Sequence, residues 1–316
     1  MSVLLGLLAA ATYGSSDFLA GLASRRLPPI VVTAGAQALC LVVGLIAVVF
    51  YSGDGLSGGV LAWGAAGGIG SVGGTFALYR GLAGGAMSVV ATLSGLLTAV
   101  IPVVVGLATG DSLSAPAAIG IIAAIPAIGL VSWQTGGGGG AAGSGAIWGV
   151  LAGIGFGFLF VAYDRAGSAA GAWPMAVAEA VATLLAIGPA LLALRARRVG
   201  SMALAAGDAD AVDHVTAAGH AGAADHVAAT RPEAIADRQS LGLLLAAGLL
   251  AGAANLSFII ANHHGELAVV AVLTALYPGF TVILARVVLG ERWSSAQKLG
   301  LATALVATFL VSLGSV

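Results

Sequence analysis

The chain has 316 residues, of which 59% are hydrophobic and 8% charged, with a formal net charge of −1. A soluble domain carries about a quarter charged residues, so a chain this poor in charge cannot wet most of its surface. That excludes a soluble globular protein, and the balanced charge offers nothing to nucleic acid.

The apolar runs are about 20 residues long rather than alternating segments of about 10, which predicts membrane-spanning helices and not barrel strands. In chain order the spans are 3–22, 29–50, 59–80, 86–109, 115–133, 146–166, 172–194, 241–262, 266–289 and 296–315. Met1–Leu22 is apolar but lacks the basic start of a cleaved signal, so it reads as the first span. Arg25-Arg26-Leu27-Pro28-Pro29 ends that span, and Ser52-Gly53-Asp54-Gly55 ends the second. The single cysteine, Cys40, excludes an intrachain disulfide. Gly64 and Gly68 on the third span, and Gly149, Gly153 and Gly157 on the sixth, recur every fourth residue. Such spacing lets helix backbones approach closely in lipid.

The run Gly136–Gly140 reads as a flexible linker. It divides the chain into a first five-helix unit (1–135), a linker (136–145) and a second unit (146–316) with a polar insert at 195–240. Within the insert, Asp213-His214-Val215 recurs as Asp225-His226-Val227. Such tracts sometimes bind metal, but this one is Ala-rich and poor in aromatics. It is expected to be solvated and partly disordered, with no metal.

The ninth span and the turn after it, Leu267–Ser294, have an internal copy. Shifted back by 180 residues they fall on Met87–Ser114, with Gly290-Glu291 on Gly110-Asp111 and Ser294 on Ser114. Between Gly84–Ser132 and His264–Ser312, 14 of 49 positions are identical without a gap. Composition alone gives roughly an eighth, so the excess marks a repeat. A weaker echo sets Tyr13-Gly14 against Phe156-Gly157. Pro278-Gly279, in the middle of the ninth span, is expected to bend it.

The segments TYGSSDFLAGLASRRLPP, ALYRGLAGGAMSVVA and LTALYPGFTVILARVVLGERWS resemble the EamA branch of the drug/metabolite transporter superfamily. So do Asp164-Arg165, Trp173-Pro174 and Ala254-Asn255-Leu256. The resemblance spans both halves and leaves out the insert. It implies an all-α integral membrane protein with ten transmembrane helices, built as two inverted five-helix repeats. It also implies a carrier of small metabolites. Before the ninth span the family has a basic residue and Gly-Pro, where this chain has Asn262-His263-His264-Gly265-Glu266.

Ionisable groups inside a span are costly unless paired or wetted, which makes Asp17, Glu179 and Arg286 candidates for the substrate or ion pathway. Arg80 and His263 stand at span ends, where the alternative role is interfacial anchoring. Gln37, Asn255 and Tyr277 are uncharged polar groups at membrane depth, equally suited to gluing helices together. Asp17 has no partner three or four residues away on its own helix, and Arg80 or Arg286 is the expected partner from the same side of the membrane.

No catalytic residue or cofactor motif is evident, and the P-loop signature GxxxxGK[ST] is absent. The expectation is a secondary carrier, an exporter of a small polar metabolite or drug, working by alternating access in the plasma membrane. Its partners are that substrate, a coupling proton and the bilayer, and it works as a monomer or dimer. A membrane-embedded enzyme using His263 or His264, or a non-transporting scaffold, remains the alternative.

For orientation two rules oppose each other. The resemblance implies cytoplasmic termini. Yet Arg25, Arg26, Arg195, Arg197, Arg198, Arg231, Arg238, Arg292 and Lys298 all follow odd-numbered spans, and the other side keeps little beyond Arg165. The positive-inside rule puts those loops in the cytoplasm and both termini outside, and we follow it.

Overall fold

The computed structural model describes residues 2–84, 87–109, 114–132, 141–217, 238–264, 277–291 and 293–314. Among them there are ten α-helices and no strand. They are α1 (Ser2–Ser24), α2 (Pro29–Phe50), α3 (Gly58–Ala83), α4 (Met87–Ala108) and α5 (Ala115–Ser132), then α6 (Ala141–Ala166), α7 (Trp173–Ala217), α8 (Arg238–His264), α9 (Tyr277–Leu289) and α10 (Ser295–Gly314). A short 3₁₀ turn, Ser168–Ala170, precedes α7.

Five helices are long and apolar enough to cross a membrane by length and composition: those containing Pro29–Phe50, Gly58–Ala83, Met87–Gly106, Gly145–Ala166 and Trp173–Val199. Leu45, Val49, Ile69, Ile122, Leu184 and Val287 each expose half or more of their surface. An apolar exterior on this scale is a lipid-facing one. The chain is therefore a multi-pass membrane protein.

Where lipid covers the outside, helices associate by close packing of small residues. The described interior accordingly holds Ala9, Ala10, Ala20, Ala36, Ala77, Ala162, Ala178 and Ala182, each 4% exposed or less. The regularly spaced glycines lie on the seams, as their spacing predicts. A Cβ added at Gly149, Gly153 or Gly157 would press into Val90, Leu97 or Ile101 of α4 at 2.6–2.9 Å. One at Gly64 or Gly68 would strike Val177 or the Ala178 carbonyl of α7 at 2.6–2.8 Å.

The first five helices pack largely on the last five. Helix α6 lies against α3 and α4, and α1 lies against α8 and α9. Helix α3 meets α7, and α2 meets α8. Across the middle, α2 pairs with α7, α4 with α9 and α5 with α10. At one end of the bundle the loops after α2 and α6 interlock, with Asp54 N–H donating to the Ala169 carbonyl and Ala172 N–H to that of Tyr51, both at 2.8 Å. Gly53 and Gly171 make this crossing with φ of +55° and +60°, and a side chain on either would overlap the opposite loop's backbone.

Two expectations change. Helix α6 starts at Ala141, inside the stretch read as linker, and the glycine run itself lies outside the described residues. Helix α7 runs on to Ala217, so residues 195–217 of the insert are helical. Arg195 ends the apolar character there but not the helix, because the alanines beyond it keep high helix propensity. Residues 218–237 lie outside the description. The bend expected at Pro278-Gly279 falls at the edge of the described residues, since α9 is described from Tyr277 on. Residues 265–276, the rest of the ninth span, are outside it.

Candidate functional site

Polar side chains from both halves meet where α1 crosses α8 and α9. Tyr13 on α1 donates its hydroxyl proton to Asn255 Oδ1 on α8. The Asn255 amide turns toward Cys40 Sγ on α2, 3.9 Å away. The Tyr13 ring lies 6.1 Å from that of Tyr277 on α9, at 56°. Ser94 and Thr98 on α4 stand near the Tyr277 hydroxyl. The Thr98 hydroxyl donates to its own helix at the Ser94 carbonyl, 2.7 Å away, while the Ser94 hydroxyl has no partner among the described residues.

Two carboxylates flank this cluster. Asp17 is one turn along α1 from Tyr13, within electrostatic range of Tyr13, Tyr79 and Tyr277. Glu179 on α7 is within range of Tyr13, Cys40, Tyr79 and Tyr163. It is 6% exposed, and its Oε2 has no hydrogen-bond partner among the described residues. Thr183, four residues on and so on the same face of α7, also leaves its hydroxyl unpartnered. Tyr13, Asp17, Asn255 and Tyr277 are half-buried.

Not every candidate from the sequence joins this cluster. Gln37 is buried and donates to Ser71 Oγ on α3 at 2.8 Å, which makes it interhelical glue in this conformation. Arg80 is exposed, with its guanidinium 5.8 Å from the Trp148 ring centroid. Arg286 is exposed too, lying 5.5 Å over Trp293 and donating to the Glu291 carbonyl. Among the described residues no cation lies within 4.0 Å of Asp17, and the pairing with Arg80 or Arg286 is not formed. A cation at the bundle end keeps its water and an aromatic face there, and reaching inward would forfeit both. The side chain of His263 lies outside the described residues.

Sequence reasoning did not assign Tyr13, Cys40, Tyr79 or Tyr163 to a site. The available signal was the i, i+4 spacing of Tyr13 and Asp17, which puts both on one face of α1. It also passed over Glu291. This residue accepts from the N–H of Met87 at 2.8 Å and of Ser88 at 3.3 Å, and from the Ser88 hydroxyl. Trp293 Nε1 donates to the same Ser88 oxygen at 3.1 Å. A carboxylate thereby caps the positive end of α4 and straps the α9–α10 turn to it.

The comparisons bear on this architecture. Residues 227–313 match the EamA-like transporter family. That family belongs to the drug/metabolite transporter superfamily and consists of membrane transporters, not enzymes. The matched segment runs from the end of the insert through α8, α9 and most of α10, so it holds Asn255, Tyr277 and Glu291. The fold is shared with a solved chain described only as a crystal structure of a protein, at 17% identity and a TM-score of 0.55, over 98% of this chain and 95% of that one. No curated protein matches the sequence.

Proposed function

We propose that the protein is a secondary active exporter of a small polar metabolite or drug, working by alternating access. The observation that carries this reading is the polar cluster of Tyr13, Cys40, Asn255 and Tyr277, flanked by Asp17 and Glu179 and drawn from both halves. Enclosed polar groups at membrane depth mark a pathway, and sites between repeats suit alternating access.

The helix pairing supports an inverted repeat of five plus five. Exchanging α1 with α6, α2 with α7, α3 with α8, α4 with α9 and α5 with α10 turns α6·α3 into α1·α8 and α6·α4 into α1·α9. It also turns α3·α7 into α2·α8 and leaves the three central pairs unchanged. Local contacts follow the same exchange: Gly14 faces Thr281 and Gly157 faces Ile101, 180 residues earlier.

In this reading Asp17 takes up the coupling proton, and Arg25, Arg26 and Arg197 mark the cytoplasmic end of a plasma-membrane protein. Those arginines sit together, since Arg197 donates to the Arg26 carbonyl at 2.9 Å and Arg26 to Gln239 Oε1 at 2.7 Å. Counterflow in proteoliposomes with a mixture of labelled metabolites tests the reading. Exchange of at least one component, lost in Asp17→Asn, is expected. Failure of every component to exchange overturns it.

A further inference from the structure

Resting on the carrier reading, we infer that the substrate is a small primary amine, bound as its ammonium between Glu179 and the tyrosine rings. Every cation among the described residues is exposed at a helix end or on the extension of α7: Arg25, Arg26, Arg80, Arg165, Arg195, Arg197, Arg198, Arg238, Arg286 and Lys298. Inside the bundle the described charged groups are two carboxylates, Asp17 and Glu179. Glu179 is 6% exposed, and a cation arriving beside it would hold its carboxylate in the charged form.

Buried charges persist when they are paired and hydrogen-bonded. Among the described residues Glu179 Oε2 has no donor, and the Thr183 hydroxyl on the same face of α7 has no partner. What is missing is a positively charged N–H donor. A primary ammonium supplies three such hydrogens on one compact charge. A quaternary ammonium carries the charge but has no hydrogen to give Oε2. A carboxylate, alone or in an amino acid, meets no described cation here and faces repulsion from Glu179.

Four of the chain's five tyrosines, Tyr13, Tyr79, Tyr163 and Tyr277, lie within electrostatic range of Glu179 or Asp17. Aromatic faces attract a cation and also cover an apolar body attached to it. The Tyr13 hydroxyl proton is already committed to Asn255, so that group offers its ring and an oxygen acceptor. The arrangement thus favours an amine carrying a short apolar or aromatic body over ammonium itself.

The test uses purified full-length protein and four probes sharing one body: tyramine, its N,N,N-trimethyl derivative, tyrosine, and 3-(4-hydroxyphenyl)propionate. Titration calorimetry should show saturable tyramine binding, with the other three weaker by about tenfold or more, as loss of a charged hydrogen bond implies. Glu179→Gln should weaken tyramine by a similar factor at an unchanged melting temperature, and Glu179→Asp should recover part of the loss. Tighter binding of any of the other three probes overturns the inference, and so does unchanged tyramine affinity in a folded Glu179→Gln. If tyramine fails to bind while counterflow detects another labelled metabolite, the substrate class is wrong and the carrier reading stands. If nothing exchanges in counterflow, the carrier reading falls, and this inference with it.

Discussion

The seam of α6 against α3 and α4 and the seam of α1 against α8 and α9 occupy corresponding places in the two halves, yet their chemistry differs. The α6 seam is apolar along its middle, with one hydrogen bond at its end, from Arg165 to Thr109 Oγ1 at 2.9 Å. Gly155 lies against Gly74, and Gly153 against Leu97 and the Ser94 carbonyl, with Phe156 packed over Gly74. The α1 seam keeps one close approach, Gly14 against Tyr277 and Phe280, but adds hydrogen bonds. Ser16 donates to the Ala247 carbonyl at 2.8 Å, Thr281 to the Gly14 carbonyl at 3.0 Å, and Tyr13 to Asn255. A tight apolar seam has one good packing and tolerates little change. A seam held by hydrogen bonds can trade partners with a ligand. On the repeat and carrier readings proposed above, the first seam is a rigid wall and the second a wall that can bind.

The sharpest way to break the comparison is to overpack the rigid wall. A Cβ on Gly155 would stand 2.6 Å from the Gly74 Cα and N, both backbone atoms that cannot swing aside. Gly155→Ala should therefore cost about 1–3 kcal/mol of stability, read as a lower melting temperature in detergent and reduced yield. An unchanged melting temperature would show that α3 and α6 slide freely.

The strap at Glu291 tests whether the two walls are coupled. It joins α4, which belongs to the rigid wall, to the turn after α9, which belongs to the binding wall. Glu291→Gln keeps an acceptor but removes the charge from the helix end. The expected cost is about 1–2 kcal/mol, and the variant should exchange substrate faster or less tightly coupled than the parent. Parental stability and exchange kinetics would show that the strap is decoration.

A milder change sharpens the comparison from the binding side. Tyr13→Phe removes one hydroxyl, leaving Asn255 Oδ1 without its donor and the ring in place. Transport should fall up to about tenfold, with a melting temperature close to that of the parent. The mirror change Phe156→Tyr adds a hydroxyl to the apolar seam and should lower stability instead. If both variants lose stability equally, the two seams are not distinct in kind.

The spans were legible because the bilayer imposes a length, and about 20 residues of apolar sequence have no other common explanation. Leaving aside the start of the ninth span, which lies outside the described residues, their ends agree with the helices within a few residues except at α7, where hydropathy reports the membrane and not the helix. The seams were legible too, since Gly149, Gly153 and Gly157 keep a helical spacing. Asp17 and Glu179 stood out as charges in the wrong medium. Tyr13 did not, because a tyrosine within a span reads as an ordinary aromatic until its partner is known. That partner, Asn255, is 242 residues away, and only tertiary structure joins them. Glu291 was visible in the repeat as one acid of a Gly-acid turn, but the helix end it caps is 203–204 residues earlier.

The smallest expected effect concerns Arg80, the cation that charge pairing from sequence set beside Asp17. On α3 it ends in solvent at the helix C-terminus, with its guanidinium over the Trp148 ring. An exposed cation–π contact contributes about 0.5–1 kcal/mol, and a cation near a helix C-terminus adds a few tenths. Arg80→Gln should therefore lower the melting temperature slightly and leave transport within about twofold of the parent. The same substitution separates two accounts of Asp17. If Arg80 swings inward to pair with Asp17 during the cycle, Arg80→Gln impairs transport as severely as Asp17→Asn, and Asp17→Arg with Arg80→Asp recovers part of the loss. If Asp17 works without that partner, only Asp17→Asn is severe and the charge swap is as inactive as Asp17→Arg alone. The exposed resting place of Arg80, and the absence of a cation within 4.0 Å of Asp17 among the described residues, favour the second outcome.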